Sequence, residues 1–144
     1  MKAIVQNSYG STEALSLKEV DQPEVKSNQV LVRIQAASLN AGDVFTMRGS
    51  PFLVRLTVGF PKPKDHILGW DMAGTVQEVG GGVTKFKPGD EVFAVSNGTL
   101  AEYASADEEV LALKPANLTF EQAAAVPTAA LTALIGLRDV GKVQ

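Results

Sequence analysis

Hydrophobic and polar residues alternate along much of the first two thirds of the chain, the period-two pattern of strands with one buried face. Gln29 to Ala37 carries it most clearly: Val30, Val32, Ile34 and Ala36 fall on one face, and Arg33 and Gln35 on the other. Lys2 to Gln6, Leu15 to Val20, Met72 to Val79, Glu91 to Val95, Leu100 to Ala104 and Val110 to Leu113 read as further strands. Turn residues separate them. In Lys87-Pro88-Gly89-Asp90 the proline presets the first corner, and the glycine accepts the positive φ of a type II turn at the second. Gly80-Gly81-Gly82 reads as a hairpin turn. Many short strands with such punctuation predict a barrel or a sandwich.

Two stretches break the alternation. Asn40 to Met47 suits a short helix with Asn40 as its cap. Gly49 to Asp65 holds three prolines and two glycines around the apolar cluster Phe52-Leu53-Val54, and it reads as a long loop. Its apolar residues call for a contact, with the core or with a ligand. After Pro115 the period changes from strand to helix. Thr119-Phe120-Glu121-Gln122 is a capping-box pattern ahead of Ala123 to Val126. Pro127 can open a second helix, because a first turn has no use for its missing N–H, and Thr128 to Val140 continues it as far as Gly141. Leu131, Leu134, Ile135 and Leu137 on that helix need a surface to pack on. Either the helix docks on the barrel or it leads into a second domain.

Composition narrows the chemistry. With 144 residues, of which 45% are hydrophobic and 20% charged, the chain can bury a core of its own. Thirteen Lys and Arg against sixteen Asp and Glu leave no basic excess for a phosphate backbone, so nucleic acid is not expected as a partner. No apolar run is long enough to span a membrane or to serve as a signal peptide, which makes the cytoplasm the expected location. Cysteine is absent, and with it disulfides, thiolate metal sites and a thiol nucleophile. The single histidine, His66, follows Lys64-Asp65 in a polar loop and reads as a loop-fixing or solvated residue.

The common nucleotide and hydrolase motifs are missing. Gly80-Gly81-Gly82 lacks the third glycine of the dinucleotide fingerprint. Gly69 and Gly74 have P-loop spacing, but Thr75-Val76 stands where Lys and Ser/Thr belong. There is no G-x-S-x-G elbow.

Several weak segments gain force from their order. They are Ser38-Leu39-Asn40-Ala41-Gly42-Asp43, Gly69-Trp70-Asp71-Met72-Ala73-Gly74-Thr75-Val76, Val79-Gly80, Phe86-Lys87-Pro88-Gly89-Asp90-Glu91-Val92, Leu100-Ala101-Glu102-Tyr103, Glu121-Gln122-Ala123-Ala124 and Leu131-Thr132-Ala133. The series resembles the N-terminal GroES-like catalytic domain of the medium-chain dehydrogenases/reductases, and within them the zinc-free quinone oxidoreductase group. It covers essentially the whole chain. The resemblance implies a mainly β, partly open barrel at 1–118, with a few short helices. Residues 119–144 would then be a helical connection toward a Rossmann domain not contained in the chain.

Zinc enzymes of that superfamily place ligands at positions that match Asn40, Trp70 and Thr128, and none of these residues is a good zinc ligand. A metal-free site is therefore expected. Without a Lewis acid the acceptor has to spread the incoming negative charge itself. The resemblance then implies hydride transfer from NADPH, with NADH as the alternative, to a quinone or an α,β-unsaturated carbonyl. By position, Asn40 would lie beside the nicotinamide with its amide offered as a donor, and Thr128 and Thr132 would face the nicotinamide and its ribose. A helix cap for Asn40 and hydroxyls bonded to the preceding turn for the threonines remain open readings. Trp70, Phe45, Phe52 and Leu53 would wall the substrate pocket or belong to the core, and Asp43 and Asp71 would be structural neighbours of the site. Family members with a proton relay keep Ser or Thr where this chain has Gly42, which leaves the proton donor unassigned.

The pyrophosphate of a dinucleotide belongs to a Rossmann domain, so the chain alone is expected to bind cofactor weakly and to be inactive. The full-length enzyme is expected to be a homodimer acting on a small molecule. The alternatives are a stand-alone GroES-like binding or assembly module, a zinc-type alcohol dehydrogenase, and the enoyl-reductase part of a larger synthase.

Overall fold

The computed structural model describes residues 1–143. The strands are β1 (Lys2–Gln6), β2 (Leu15–Glu19), β3 (Gln29–Ser38), β4 (Asp71–Val79), β5 (Glu91–Val95), β6 (Tyr103–Asp107) and β7 (Leu111–Leu113). The helices are α1 (Ala41–Arg48), α2 (Val54–Val58), α3 (Phe120–Ala124) and α4 (Pro127–Leu134). Five strands form one antiparallel sheet in the order β6-β3-β4-β5-β7, while β1 and β2 pair separately. Single bridges, Ala3 to Ala101 and Val5 to Ile67, fasten β1 to the rest. The sheet curls into a half-closed barrel, one of the two forms that the strand pattern predicts and the one that the resemblance implies.

Each face of the sheet carries its own cluster. Val30, Val32, Met72, Val76, Val92, Ala94, Ala104, Ala106 and Leu111 fill the concave core. On the other face, Ala73 and the partly buried Ala36 and Phe93 meet Ala123 and Ala124 of α3. Alternation alone puts Ala36 beside Ile34, and here the structure corrects the sequence. Ile34 pairs with Gly74 and Ala36 with Ala73, so Gln35 is an extra residue that turns Ala36 to the α3 side. A second bulge, at Gln77, lets Val76 and Val79 share the concave core although they lie three residues apart.

Four other expectations shift. The strand expected at Leu100 to Ala104 is observed at Tyr103–Asp107. Residues before it are drawn toward β1 instead: the Ile4 N–H donates to Leu100 O and the Glu102 N–H to Lys2 O. The expected long loop of Gly49 to Asp65 contains α2. The helix expected to run to Val140 leaves α geometry after Leu134 and continues as a π-helical segment, Ile135–Val140. Gly80-Gly81-Gly82 does turn, with the Val83 N–H donating to Gly80 O, but it opens a longer connection to β5 rather than closing a hairpin. The Lys87–Asp90 turn forms as expected, with Gly89 at φ +94°. Among the described residues no helix is long and apolar enough to cross a membrane.

Candidate functional site

The end of β3 and the start of β4 lie side by side, with Ser38 opposite Asp71. Asp71 and Ala73 point to the same face of β4, toward α3 and α4, because alternate side chains share a side. The capping box of α3 forms as the sequence predicts: the Gln122 N–H donates to Thr119 Oγ1 at 3.2 Å, and the Thr119 N–H to Gln122 Oε1 at 3.0 Å. Packing of α3 on Ala73 then delivers the first turn of α4 to Asp71.

Asp71 is fully buried and accepts four hydrogen bonds. Thr128 Oγ1 donates to its Oδ1 at 2.6 Å, and the Thr128 N–H to its Oδ2 at 3.3 Å. Asn40 Nδ2 and Ser38 Oγ donate to Oδ2 at 2.9 and 3.2 Å. The Thr128 N–H is one of the donors that a helix start leaves unpaired, so the carboxylate caps α4 from outside. Asp43 lies one turn into α1 and accepts the Asn40 N–H through Oδ2 at 2.7 Å, while its buried Oδ1 has no partner among the described residues. Burial pushes the Asp43 carboxyl above the usual carboxylate range; the Asn40 N–H pulls it the other way, and nearby Asp71 adds to the rise.

Trp70 precedes this knot. A Cβ on Gly42 would overlap the edge of its indole ring, so the first turn of α1 and the tryptophan fit only because residue 42 has no side chain. Trp70 borders two clefts. One, of about 320 Å³, also takes in Asp43, Thr46, Lys64 and Asp65. The other, of about 570 Å³, takes in Val95, Ser96, Asn97 and Ser105.

The remaining sequence candidates lie apart from the knot. Thr132 is exposed one turn beyond Thr128 on α4. Phe45, Phe52 and Leu53 are 50%, 58% and 71% exposed. Phe52 meets Phe60 edge to face at 5.9 Å, and Arg55 lies over Tyr9 at 4.7 Å, so this segment is stapled to itself and to the chain after β1. His66 is exposed, with Nδ1 3.3 Å from Gln6 O. Sequence reasoning passed over the convergence on Asp71 and the part of Ser38 in it, since these residues are far apart in the chain and a lone buried carboxylate leaves no periodic signal. It also missed Lys114, whose buried ammonium bonds Leu118 O at 2.7 Å and pairs with Glu91 at 3.0 Å.

Residues 26–132 match the family described as the alcohol dehydrogenase GroES-like domain. An NADPH-dependent alkenal/one oxidoreductase of Arabidopsis thaliana is 40% identical over 148 residues, covering 95% of this chain and 37% of that protein. The quinone oxidoreductase of Coxiella burnetii superposes with a TM-score of 0.87 at 36% identity, over 96% of this chain and 44% of that one. The Escherichia coli quinone oxidoreductase in complex with NADPH does so with a TM-score of 0.85 at 27% identity, over 97% and 41%. The chain thus spans less than half the length of these relatives.

Proposed function

The chain belongs to the alcohol dehydrogenase GroES-like domain family, in the quinone oxidoreductase-like group of the medium-chain dehydrogenases/reductases, and we propose that it is the substrate-binding and catalytic half of an NADPH-dependent reductase of quinones or α,β-unsaturated carbonyls. One observation carries the reading: Asn40, from the loop after β3, and Thr128, from the start of α4, meet on the buried Asp71 beside Trp70 and remain partly exposed. Two anchored polar groups next to an aromatic wall suit the nicotinamide end of a dinucleotide. Relatives named for NADPH support that choice.

NADPH, when bound, would supply the hydride. Asn40 and Thr128 would hold its nicotinamide half, with Thr132 further along α4, and Trp70 would wall the acceptor. The dinucleotide's pyrophosphate would sit on a following Rossmann domain. Zinc does not fit the donor set. Asn40 and Thr128 direct hydrogen-bond donors at Asp71, and an indole offers no lone pair for a metal. A conjugated acceptor needs no metal, because hydride addition leaves an enolate or quinol anion whose charge is delocalised.

The test is NADPH oxidation by the full-length protein with a benzoquinone, a 2-alkenal and the corresponding saturated aldehyde. Turnover of the first two, unchanged after chelator treatment, is the expected result. Reduction of the saturated aldehyde that is lost on chelation and restored by zinc would overturn the reading.

A further inference from the structure

We propose that Asp71 is a positioning residue that turns Asn40 and Thr128 into hydrogen-bond acceptors, so that this side of the site reads a donor on the nicotinamide half of the cofactor. The inference rests on the reading above and reverses the donor role that the resemblance implies for the Asn40 amide.

The polarity follows from counting protons. An ionised carboxylate only accepts, and it offers about four lone-pair positions. Four donors converge on Asp71, three on Oδ2 and one on Oδ1, so every group that meets the carboxylate does so by donating. The Asn40 amide can meet it only through Nδ2, which leaves the carbonyl Oδ1 facing the Asp43 N–H in the capping box of α1, with one lone pair to spare. Thr128 has one hydroxyl proton and spends it on Asp71 Oδ1 at 2.6 Å, the short range of a charge-assisted bond. What Thr128 Oγ1 then has left is lone pairs. Ser38 has likewise committed its proton. Water cannot scramble the arrangement at its centre, since Asp71 is fully buried and a network in such surroundings holds its orientation. The matching groups on a nicotinamide nucleotide are the carboxamide N–H and the ribose hydroxyl next to the ring. Both are donors.

Binding reads this out without turnover. Dissociation constants on the full-length protein are measured by calorimetry for NADP⁺, for its 3-acetylpyridine analogue, in which a methyl replaces the carboxamide NH₂, and for an analogue lacking the 2′-hydroxyl of the nicotinamide ribose. The unaltered protein is expected to bind at least one analogue about fivefold more weakly than NADP⁺, the worth of one neutral hydrogen bond. Which analogue suffers identifies the donor. In Asp71→Asn the new amide accepts through one oxygen only, Asn40 is free to turn round, and the discrimination is expected to fall toward unity. A merely structural role would weaken all three ligands together and leave their ratios unchanged. If Asp71→Asn does not fold, as judged by circular dichroism, Thr128→Val is expected to lose discrimination and Thr128→Ser to keep it. Equal binding of all three ligands by the unaltered protein, or full discrimination in Asp71→Asn or Thr128→Val, overturns the inference. Should quinone reduction persist in that case, the functional reading stands without it. Failure to bind any of the nucleotides removes both.

Discussion

Gly42 and Trp70 act as a pair. The indole occupies the space that a side chain at residue 42 would need. Gly42→Ser is therefore expected to cost about 1–3 kcal/mol, the usual range for overpacking a filled site. Trp70 is the only tryptophan, so its fluorescence reports the corner directly. The expected result is a shifted emission maximum together with a lower denaturant midpoint. An unchanged spectrum and midpoint would mean that the ring has room to yield. At the same scale, Asp43 spends one carboxylate oxygen closing the first turn of α1, while the other has no partner among the described residues.

Among the elements, α3 is short but determines where α4 begins. Its five residues bury Ala123 and Ala124 against the sheet, and its start is closed by the reciprocal bonds of Thr119 and Gln122. Lys114 fixes the chain just before it, bonding Leu118 O and pairing with Glu91 at the head of β5. Loss of the cap through Thr119→Ala is expected to lower stability by about 1 kcal/mol. Because α3 presents Thr128 to Asp71, the same change is expected, on the proposed function, to weaken nucleotide binding by the full-length protein. Calorimetry and thermal denaturation measure the two effects. A lower melting temperature with unaltered binding would show that α4 is seated independently of α3. Among the strands, the bulges at Gln35 and Gln77 set which side chains reach each face, and hence that Ala36 lines the α3 side while Val79 joins the concave core.

At the scale of the molecule, the last helical stretch stands out. Leu131, Leu134, Ile135, Leu137, Val140 and Val143 are 46–77% exposed, and an apolar groove of about 630 Å³ runs between α4, β5 and β7. Soluble proteins rarely leave so continuous an apolar strip in water. The 144-residue chain is expected to bind an apolar reporter dye and to self-associate as its concentration rises. Leu134→Lys combined with Leu137→Lys is expected to suppress both and to change stability by no more than about 0.5 kcal/mol, the norm for exposed positions. Sedimentation and dye fluorescence are the measurements. Identical behaviour of variant and parent would place the association elsewhere on the surface.

The sequence by itself determined the strands other than β6, the Lys87–Asp90 turn, the α3 capping box and the start of α4 at Pro127. These depend on side-chain period and backbone preference within a few residues, and local physics is written locally. The order of its short segments was also enough to indicate the family. Tertiary structure alone decided which face each residue beyond a bulge would occupy, since one extra residue inverts the alternation that the sequence displays. It decided that Leu100 to Glu102 would be drawn toward β1, and that apolar residues within the presumed loop would form α2. It also decided the site, where Ser38, Asn40, Asp71 and Thr128 come from separate elements and carry no shared spacing. Their hydrogen bonds exist only once β3, β4 and α4 are packed, because a buried carboxylate takes its donors from whatever the fold brings within about 3 Å.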